Sequence, residues 1–340
     1  MMIKAALAKI ADHRHLSEKE AEAIMVSIME GKVSDCQIAA YLMGLRVKGE
    51  TVDEITGSAK AMRSLAQRVH VTDSMVVDTC GTGGDGANTF NISTAAAFVV
   101  AGAGITVAKH GNRSVSSRSG SADVLTALGV NVHLHPNHVA ECINEVGMGF
   151  LFAPLFHVAM KYCAKPRSEM ALRTIMNILG PLSNPAGANI QLLGVYDQAL
   201  TEKLATVLIN LGCQHCFVFH GLDGLDEITL TNRTYVSEGK GGRVSSYTLD
   251  PKDFGLERVS LKTLQGGTPE ENAHTIQEIL QGRSGPKREI VLLNAAPAFV
   301  ASEKVKTLQE GYHEASHVID TGAAFEKLEK LIQVTNQYSS

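Results

Sequence analysis

Apolar residues recur at helical spacing through the first part of the chain, from residue 17 to residue 66. Ser17 with Glu20, and Thr51 with Glu54, have the spacing of a capping box, and Ser34 precedes a third apolar segment. Each segment ends at a glycine or soon after a cationic residue, as helix C-termini prefer. The pattern predicts a small all-helical domain over residues 1–70.

After residue 73 the pattern changes to short apolar runs that stop at glycines. The runs SMVVDTC and ITVAKHG flank an alanine-rich helical stretch, which predicts a βαβ unit. Further runs, FLFAP, IQLLGVY, HCFVFHG and EIVLLNAA, alternate with helical segments and are predicted to be strands. Residues 71–340 are therefore expected to form a larger α/β domain with a mainly parallel central sheet that helices cover on both faces.

One interval interrupts this alternation. Residues 156–176 are helical in pattern, cationic and rich in methionine. We expect this interval to leave the α/β domain and to pack on the N-terminal helices. The predicted fold class is thus α/β with a small helical domain at the N-terminus.

Composition and charge narrow the possible functions. Of the 340 residues, 44% are hydrophobic and 19% are charged, which excludes extended disorder. The 31 basic and 35 acidic residues leave a net charge of −4, so no global basic field exists, and neither nucleic acid nor a membrane is expected as a partner. Six scattered cysteines and an N-terminus without a continuous apolar stretch predict a cytoplasmic protein with reduced thiols.

A glycine-rich segment, DTCGTGGDG at residues 78–86, directly follows a predicted strand. Bare backbone N–H groups in such a loop can surround phosphate oxygens. Gly81, Gly83 and Gly86 also fit G-x-G-x-x-G, so a dinucleotide site stays an alternative, as does a turn without a ligand. The dinucleotide site is disfavoured because the next predicted strand ends at Lys109, where an acid would be needed.

Two further segments have anion-binding features. Asn91, Ser93 and Thr94 lie at a predicted helix N-terminus, where unpaired N–H groups attract anions, although Ser93 or Thr94 could instead be a simple N-cap. The loop from Lys109 to Asp123 gathers cations, an asparagine and hydroxyls, which is a phosphate-binding composition. A solvated basic loop is the alternative, and Asp123 is expected to cap the helix that follows.

The motifs GTGGD, NIST, KHGNRSVSS, SGSAD, NILGPLSNP and DGLDE occur along the chain in this order. In order and spacing they are similar to those of the anthranilate phosphoribosyltransferases, a family of tryptophan biosynthesis. The resemblance implies transfer of the 5-phosphoribosyl group of phosphoribosyl pyrophosphate to the amine of anthranilate, with release of pyrophosphate. It also implies a homodimer that depends on Mg²⁺.

The resemblance assigns site residues by motif, and each of them is expected at one cleft between the two domains. Expected at phosphoribosyl pyrophosphate are Gly81, Gly84, Asp85, Thr89, Asn91, Ser93, Thr94, Lys109, Asn112, Arg113, Ser116, Ser117 and Ser121. Expected at anthranilate are Gly81, His110, Asn112 and Arg167. Expected at Mg²⁺ are Ser93, Asp226 and Glu227. No residue is assigned as a general base.

The chain departs from the family pattern beside Arg167. Val158 stands where the family usually has proline, and Met170 and Ala171 stand where Leu-Gly is more usual. These departures bear on the shape of the acceptor pocket and not on the reaction. Two other functions stay open at this point: a nucleoside phosphorylase of the same architecture, and a catalytically inactive relative that binds nucleic acid.

Overall fold

The computed structural model describes residues 2–114 and 118–338. Its N-terminal part consists of helices, as the periodicity predicts. Ser17 and Thr51 form capping boxes with Glu20 and Glu54, and Ser34 forms one with Gln37. The four helices are α1 (Met2–Ala11), α2 (Glu18–Met29), α3 (Asp35–Lys48) and α4 (Val52–Leu65).

A buried ion pair fixes the connections between these helices. The Glu54 carboxylate accepts hydrogen bonds from Lys48 Nζ at 2.9 Å, the Thr51 amide at 2.9 Å and the Leu16 amide at 2.9 Å. The side chains of Glu54 and Lys48 are 0% and 2% exposed. Loss of either partner would leave the other charge buried and unpaired, so this pair holds the α3–α4 turn against the α1–α2 linker.

Seven strands form one sheet in the second part of the chain, in the order β3-β2-β1-β4-β5-β6-β7. The strands are β1 (Val77–Gly81), β2 (Val107–Gly111), β3 (Met148–Phe152), β4 (Ile190–Gly194), β5 (His215–Gly221), β6 (Thr234–Lys240) and β7 (Arg243–Leu249). Strands β1 to β5 are parallel to one another, whereas β6 and β7 run antiparallel at one edge. The predicted fold class, an α/β domain with a mainly parallel sheet beside a helical domain, is confirmed.

The remaining helices cover both faces of the sheet. Side chains of successive strand residues point to opposite faces, so Leu192 and Phe217 join one hydrophobic core while Leu193 and Val218 join the other. The helices are α5 (Ile92–Gly102), α6 (Ser121–Ala127), α7 (Pro136–Val146), α8 (Ala153–Phe156), α9 (Lys161–Met170), α10 (Ile175–Leu179), α11 (Leu200–Asn210), α12 (Pro269–Leu280), α13 (Pro286–Ala301), α14 (Leu308–Asp320) and α15 (Ala323–Asn336). Helix α11 and the N-terminal helices share the second core.

One local prediction is wrong, and one element is absent from the predictions. The run EIVLLNAA lies inside helix α13 and is not a strand. A continuous apolar run cannot distinguish a buried strand from a helix buried on all sides, and α13 buries most of its residues. The hairpin of β6 and β7 was not predicted, because β7 is an edge strand with many exposed polar residues and lacks an apolar run.

The interval after β3 contacts the N-terminal helices. Helix α9 packs on α2 and α3, and α10 packs on α3 and α4. Cys163 and Ile175 belong to the same core as the N-terminal helices. The division of the chain at residue 70 stays a prediction. Among the described residues, no helix combines the length and apolar character that a membrane span requires.

Helix α9 ends in a conformation that its sequence does not favour. Ala171 is the C-cap residue and has φ 48° and ψ 33°, the left-handed region. For a residue with a Cβ this region costs roughly 1 kcal/mol, which is why glycine is preferred at such positions. The unusual Met170-Ala171 pair therefore places strain just beyond the helix that carries Arg167.

We expect Ala171→Gly to raise the free energy of unfolding by about 0.5–1 kcal/mol, because the Cβ strain disappears. Ala164→Gly, at an exposed and regular position of the same helix, is the matched control and should lower it by about 0.5–1 kcal/mol. Urea unfolding of both variants measures the two effects. Destabilisation by both substitutions would show that Ala171 is not strained.

Candidate active site

The glycine loop after β1 has a backbone conformation that residues with a side chain rarely adopt. Gly83, Gly84 and Gly86 have φ values of 66°, 80° and 75°. The amide of Gly83 donates a hydrogen bond of 2.8 Å to Asp226 Oδ2. Positive φ angles at these positions are open to glycine and rarely to other residues, and a loop of this kind can offer N–H groups to anionic oxygens.

Asp226 and Glu227 lie on the long connection between β5 and β6. This connection folds back over the ends of β1 and β4, where Gly81 is paired in register with Gly194. A Cβ on Gly81 would lie 2.6 Å from Asp226 Oδ2, and a Cβ on Gly194 would overlap the Asp226 carbonyl oxygen. Both strands must therefore end in glycine for the acids to approach, and Gly194 is a site residue that the sequence analysis missed.

Asp226 and Glu227 lie close to each other and to a third carboxylate, that of Asp85. Burial raises the pKa of Asp226 to about 7, and the nearby Asp85 carboxylate contributes to that rise against the opposing Gly83 hydrogen bond. Burial, followed by the Asp226 charge, raises the pKa of Glu227 well above its ordinary value, while Lys109 opposes the change. Within the described part of the protein, the Gly83 hydrogen bond and the Lys109 charge offset burial and repulsion only in part, and a bound cation would offset them further.

The donor chemistry at this position fits a hard divalent cation. Asp226 and Glu227 offer carboxylate oxygens, and Ser93, whose backbone N–H bonds Glu227, offers a hydroxyl. Among the described residues, no group of three His, Cys, Asp or Glu side chains forms a complete cage for a metal. Incomplete protein ligation is typical of Mg²⁺, which keeps several waters or substrate phosphate oxygens.

Lys109 lies beneath the glycine loop and not in the open cleft. Lys109 is 1% exposed, and its Nζ donates to the Thr79 carbonyl and lies 3.3 Å from Ser93 Oγ. Burial lowers the pKa of Lys109, while the Asp78 carboxylate opposes that change. Asp78 is held by Asn184 at 2.8 Å, so a buried charge network supports the floor of the site.

The first turn of α5 borders the loop. The helix begins at Ile92 and Asn91 is its N-cap without a side-chain cap hydrogen bond, so neither Ser93 nor Thr94 is the N-cap. Asn91 Nδ2 instead donates to the Ser119 carbonyl at 3.0 Å. Thr94 is fully buried, and its hydroxyl finds no hydrogen-bond partner in the described part of the chain. The backbone N–H groups of this turn already have partners: that of Ile92 donates to the Phe90 carbonyl at 2.7 Å, that of Thr94 to the Asn91 carbonyl at 3.1 Å, and that of Ser93 to Glu227.

The basic loop after β2 is organised around Asp123. This carboxylate pairs with Arg113 at 2.9 Å and accepts hydrogen bonds from the amides of Ser114 at 3.0 Å and Gly120 at 2.9 Å. Asp123 is the third residue of α6, so it closes the helix start from within and does not precede it. Arg113 is thus engaged inside its own loop.

The other predicted donor-side residues are spread around this loop. Ser121 Oγ donates to the Asn112 carbonyl at 3.3 Å, which links two of them directly. Thr89 forms an isolated antiparallel bridge with Gln265. Ser116 and Ser117 lie outside the described residues.

The predicted acceptor side contains two neighbouring histidine rings. The ring centroids of His110 and His157 are 5.1 Å apart, and neither Nε2 has a hydrogen-bond partner among the described residues. Burial and the neighbouring His157 lower the pKa of His110 to about 3, and burial lowers that of His157 to about 4. Both rings are therefore neutral and weakly basic at neutral pH. Arg167 lies partly buried on α9, near Cys163.

Arg173 connects the interval after β3 to the glycine loop. Its guanidinium donates to the Gly84 carbonyl and stacks over the Tyr196 ring, with 4.4 Å between the guanidinium carbon and the ring centroid. Arg173 is not among the predicted site residues, because a lone arginine after a helix carries no signal of such a contact. The loop is thus held from both sides, by Asp226 on one and by Arg173 on the other.

Comparison with known proteins agrees with this architecture. The family model described as "Glycosyl transferase family, helical bundle domain" matches residues 4–66, and "Glycosyl transferase family, a/b domain" matches residues 73–325. The anthranilate phosphoribosyltransferase of Symbiobacterium thermophilum is 53% identical over 335 residues, which are 98% of each chain.

Two solved structures are similar along nearly the whole chain. The anthranilate phosphoribosyltransferase of Thermus thermophilus is 42% identical, with a TM-score of 0.93 over 97% of this chain and 99% of that one. The Saccharomyces cerevisiae enzyme in complex with PRPP and Mg is 28% identical, with a TM-score of 0.89 over 98% of each chain. The chain belongs to the anthranilate phosphoribosyltransferase family.

Proposed function

We propose that the cleft transfers the 5-phosphoribosyl group of phosphoribosyl pyrophosphate to the amine of anthranilate, giving N-(5-phosphoribosyl)anthranilate and pyrophosphate. The protein is thus a glycosyltransferase of tryptophan biosynthesis. One observation supports this function most directly. At the ends of β1 and β4, the glycine loop contacts an acid pair whose ionised form is destabilised by burial and like charge. A divalent cation on the acid pair, together with the N–H groups of the loop, would suit a leaving group that is a polyanion.

The donor phosphates would be bound by backbone and cationic groups. The loop that includes Gly81, Gly84 and Asp85 would contribute N–H groups, and the first turn of α5 would contribute the positive end of its helix dipole. The remaining proposed donor-side residues are Thr89, Asn91, Ser93, Thr94, Lys109, Asn112, Arg113, Ser116, Ser117 and Ser121. Lys109 would act from beneath the loop through its charge, because its ammonium is already bonded to Thr79.

Ser93, Asp226 and Glu227 would hold Mg²⁺ with the pyrophosphate part of the donor. When bound, the ion neutralises charge that develops on the departing pyrophosphate. The contribution of this chain is to keep the two carboxylates close to the glycine loop. An added cation would relieve the repulsion among the acids, which together with burial raises their pKa values.

The site would position anthranilate for attack without removing a proton from its amine before the new bond forms. Arg167 can pair with the anthranilate carboxylate in two-point geometry, with Asn112, His110 and the Gly81 backbone near the amine. His110, with a pKa of about 3, is too weak a base to remove an amine proton at neutral pH. An aryl amine can lose its proton after the new bond forms, so catalysis rests on positioning and on charge stabilisation.

The reaction itself is testable with one assay. Protein mixed with phosphoribosyl pyrophosphate, Mg²⁺ and anthranilate should make the anthranilate fluorescence disappear. Consumption of a nucleoside and phosphate, with anthranilate untouched, would instead identify a nucleoside phosphorylase. Absence of both reactions would leave the inactive relative, which the net charge of −4 disfavours as a nucleic-acid binder.

We further propose a homodimer in the cytoplasm. Met43 and Val47 on α3 are 41% and 65% exposed, and Met2 on the neighbouring α1 is 46% exposed. An exposed apolar face of this kind suits a second copy of the chain. All six cysteines are free thiols, which suits a reducing compartment. Sedimentation equilibrium measures the mass, and a monomer at micromolar concentration would contradict the dimer.

The double variant Asp226→Asn, Glu227→Gln should lose most activity at low Mg²⁺ and recover in part at high Mg²⁺, because neutral amides hold the ion more weakly than carboxylates.

The same double variant should also be more stable than the parent. The folded pKa values are raised above the unfolded ones, so the fold favours the protonated acids and loses stability as pH rises through about 7. We expect a gain of roughly 1–3 kcal/mol in the free energy of unfolding at pH 8, and almost none near pH 4.

Glu326→Gln with Glu329→Gln on the exposed face of α15 is the control, since it removes the same formal charge outside the cleft. It should change neither the Mg²⁺ dependence nor the stability at pH 8 by more than about 0.5 kcal/mol. Urea unfolding at both pH values and rates across a Mg²⁺ series are the measurements. Unchanged activity of the double variant at every Mg²⁺ concentration would remove these acids from the metal site.

Arg167→Ala should weaken acceptor binding by about 1.5–3 kcal/mol, or roughly ten- to hundred-fold, because a charge-assisted pair is lost. The KM for phosphoribosyl pyrophosphate should stay near the parent value. Arg167→Lys should rescue in part, since an ammonium lacks the planar two-point fit. Lys165→Ala, an exposed cation on the same helix, is the control. A loss confined to the donor KM would place Arg167 outside the acceptor pocket.

A further inference from the structure

The loop that carries the acid pair has no regular secondary structure, so side chains must fix its course. Residues 222–233 connect β5 to β6. Asp223 accepts a hydrogen bond of 2.6 Å from the Thr229 hydroxyl, and the Leu225 carbonyl accepts one of 2.8 Å from the Gly221 amide. These bonds hold the loop to itself and to the end of β5.

One buried side chain holds the loop from outside. Asn294 on α13 is 3% exposed; its Oδ1 accepts from the Ile228 amide at 2.8 Å, and its Nδ2 donates to the Ile228 carbonyl at 2.9 Å. Its second N–H donates at 2.8 Å to the Ile290 carbonyl in its own helix. Both polar backbone groups of Ile228, the residue next to Glu227, are therefore satisfied by one side chain.

Helix α13 links the Asn294–Ile228 hydrogen bonds, called the Asn294 clamp, to the helix that carries Ser93. Helix α13 packs along α5, the helix whose first turn contains Ser93. Asn294, Glu227 and Ser93 also line one small cavity together with Thr79. A clamp from α13 to Ile228 therefore fixes the distance between the acid pair and Ser93, the groups that the proposed function assigns to one ion.

We infer that Asn294 is a positioning residue that sets the affinity of the Asp226–Glu227 pair for the divalent cation, an inference that rests on the proposed function. This role requires no contact with substrate. Residues that orient metal ligands change metal affinity by about 10–100-fold when they are replaced. A residue that only supported the core would change stability and leave the metal dependence as it was.

The chain offers a matched control at the opposite end of the sheet. Asn189 accepts from the Val76 amide at 2.9 Å and donates to the Ser74 carbonyl at 2.8 Å. This is the same amide clamp on backbone groups, but it lies where β1 begins, away from the cleft. Asn189→Leu therefore removes equivalent hydrogen bonds without reaching the acid pair.

The experiment compares Asn294→Leu with Asn189→Leu in the full chain. We expect Asn294→Leu to raise the half-activating Mg²⁺ concentration about tenfold, with kcat largely recovered at saturating Mg²⁺ and the anthranilate KM unchanged. The dissociation constant of Mn²⁺, measured without substrates by loss of the free-ion electron paramagnetic resonance signal, should rise by a similar factor. Asn189→Leu should alter neither quantity.

If Asn294→Leu does not fold, Asn294→Ala provides the same comparison, because the space it opens beside the cavity can admit a water to Ile228. A folded Asn294 variant with parental Mn²⁺ affinity and parental Mg²⁺ dependence would overturn the inference. An equal change in Asn189→Leu would also overturn it. If Asp226→Asn with Glu227→Gln leaves Mn²⁺ affinity unchanged, the metal assignment fails first, and the inference fails with it.

Discussion

The carboxylates of Asp85, Asp226 and Glu227 repel one another at the carboxyl end of the sheet, and the rest of the site depends on how the fold tolerates that repulsion. Burial and like charge raise the pKa of Asp226 to about 7 and that of Glu227 well above its ordinary value. Among the described residues, Lys109 is the cation that opposes the shift at Glu227, and it lies beneath the loop. The protein therefore keeps a cluster of acids that a bound cation would stabilise.

Steric exclusion and hydrogen bonding both maintain this crowding. Gly81 and Gly194 end adjacent strands and leave no side chain between the sheet and Asp226. The Gly83 amide holds the carboxylate from one side, and Asn294 holds the backbone beyond Glu227 from the other. The acid repulsion that these contacts maintain costs the fold stability, which is common where a site is preorganised for charge that arrives with the substrate.

Sequence patterns predicted the elements whose signal is local. Capping boxes at Ser17 and Thr51, the glycine loop and the parallel strands follow from spacing and apolar runs, and all lie where they were expected. The run that contains Asn294 has the pattern of a strand and yet forms a helix, since burial on all sides erases helical periodicity.

Contacts between distant segments could not be predicted in this way. Arg173 meets Gly84 and Gly194 meets Asp226 only after the chain has folded, and neither Arg173 nor Gly194 belongs to a motif. The resemblance to a known family supplied the acid pair and Arg167, but the residues that position the acid pair came from the three-dimensional arrangement alone.

Because the pKa of Asp226 is raised to about 7, part of the unliganded protein holds a proton on Asp226 at pH 7, and binding of the cation with the donor would release it. Calorimetric titration of phosphoribosyl pyrophosphate with saturating Mg²⁺ at pH 7, in two buffers of different ionisation enthalpy, counts the protons released. The parent protein should release more protons than Asp226→Asn with Glu227→Gln. Equal release by the two proteins would contradict the proposed coupling between the acids and the cation.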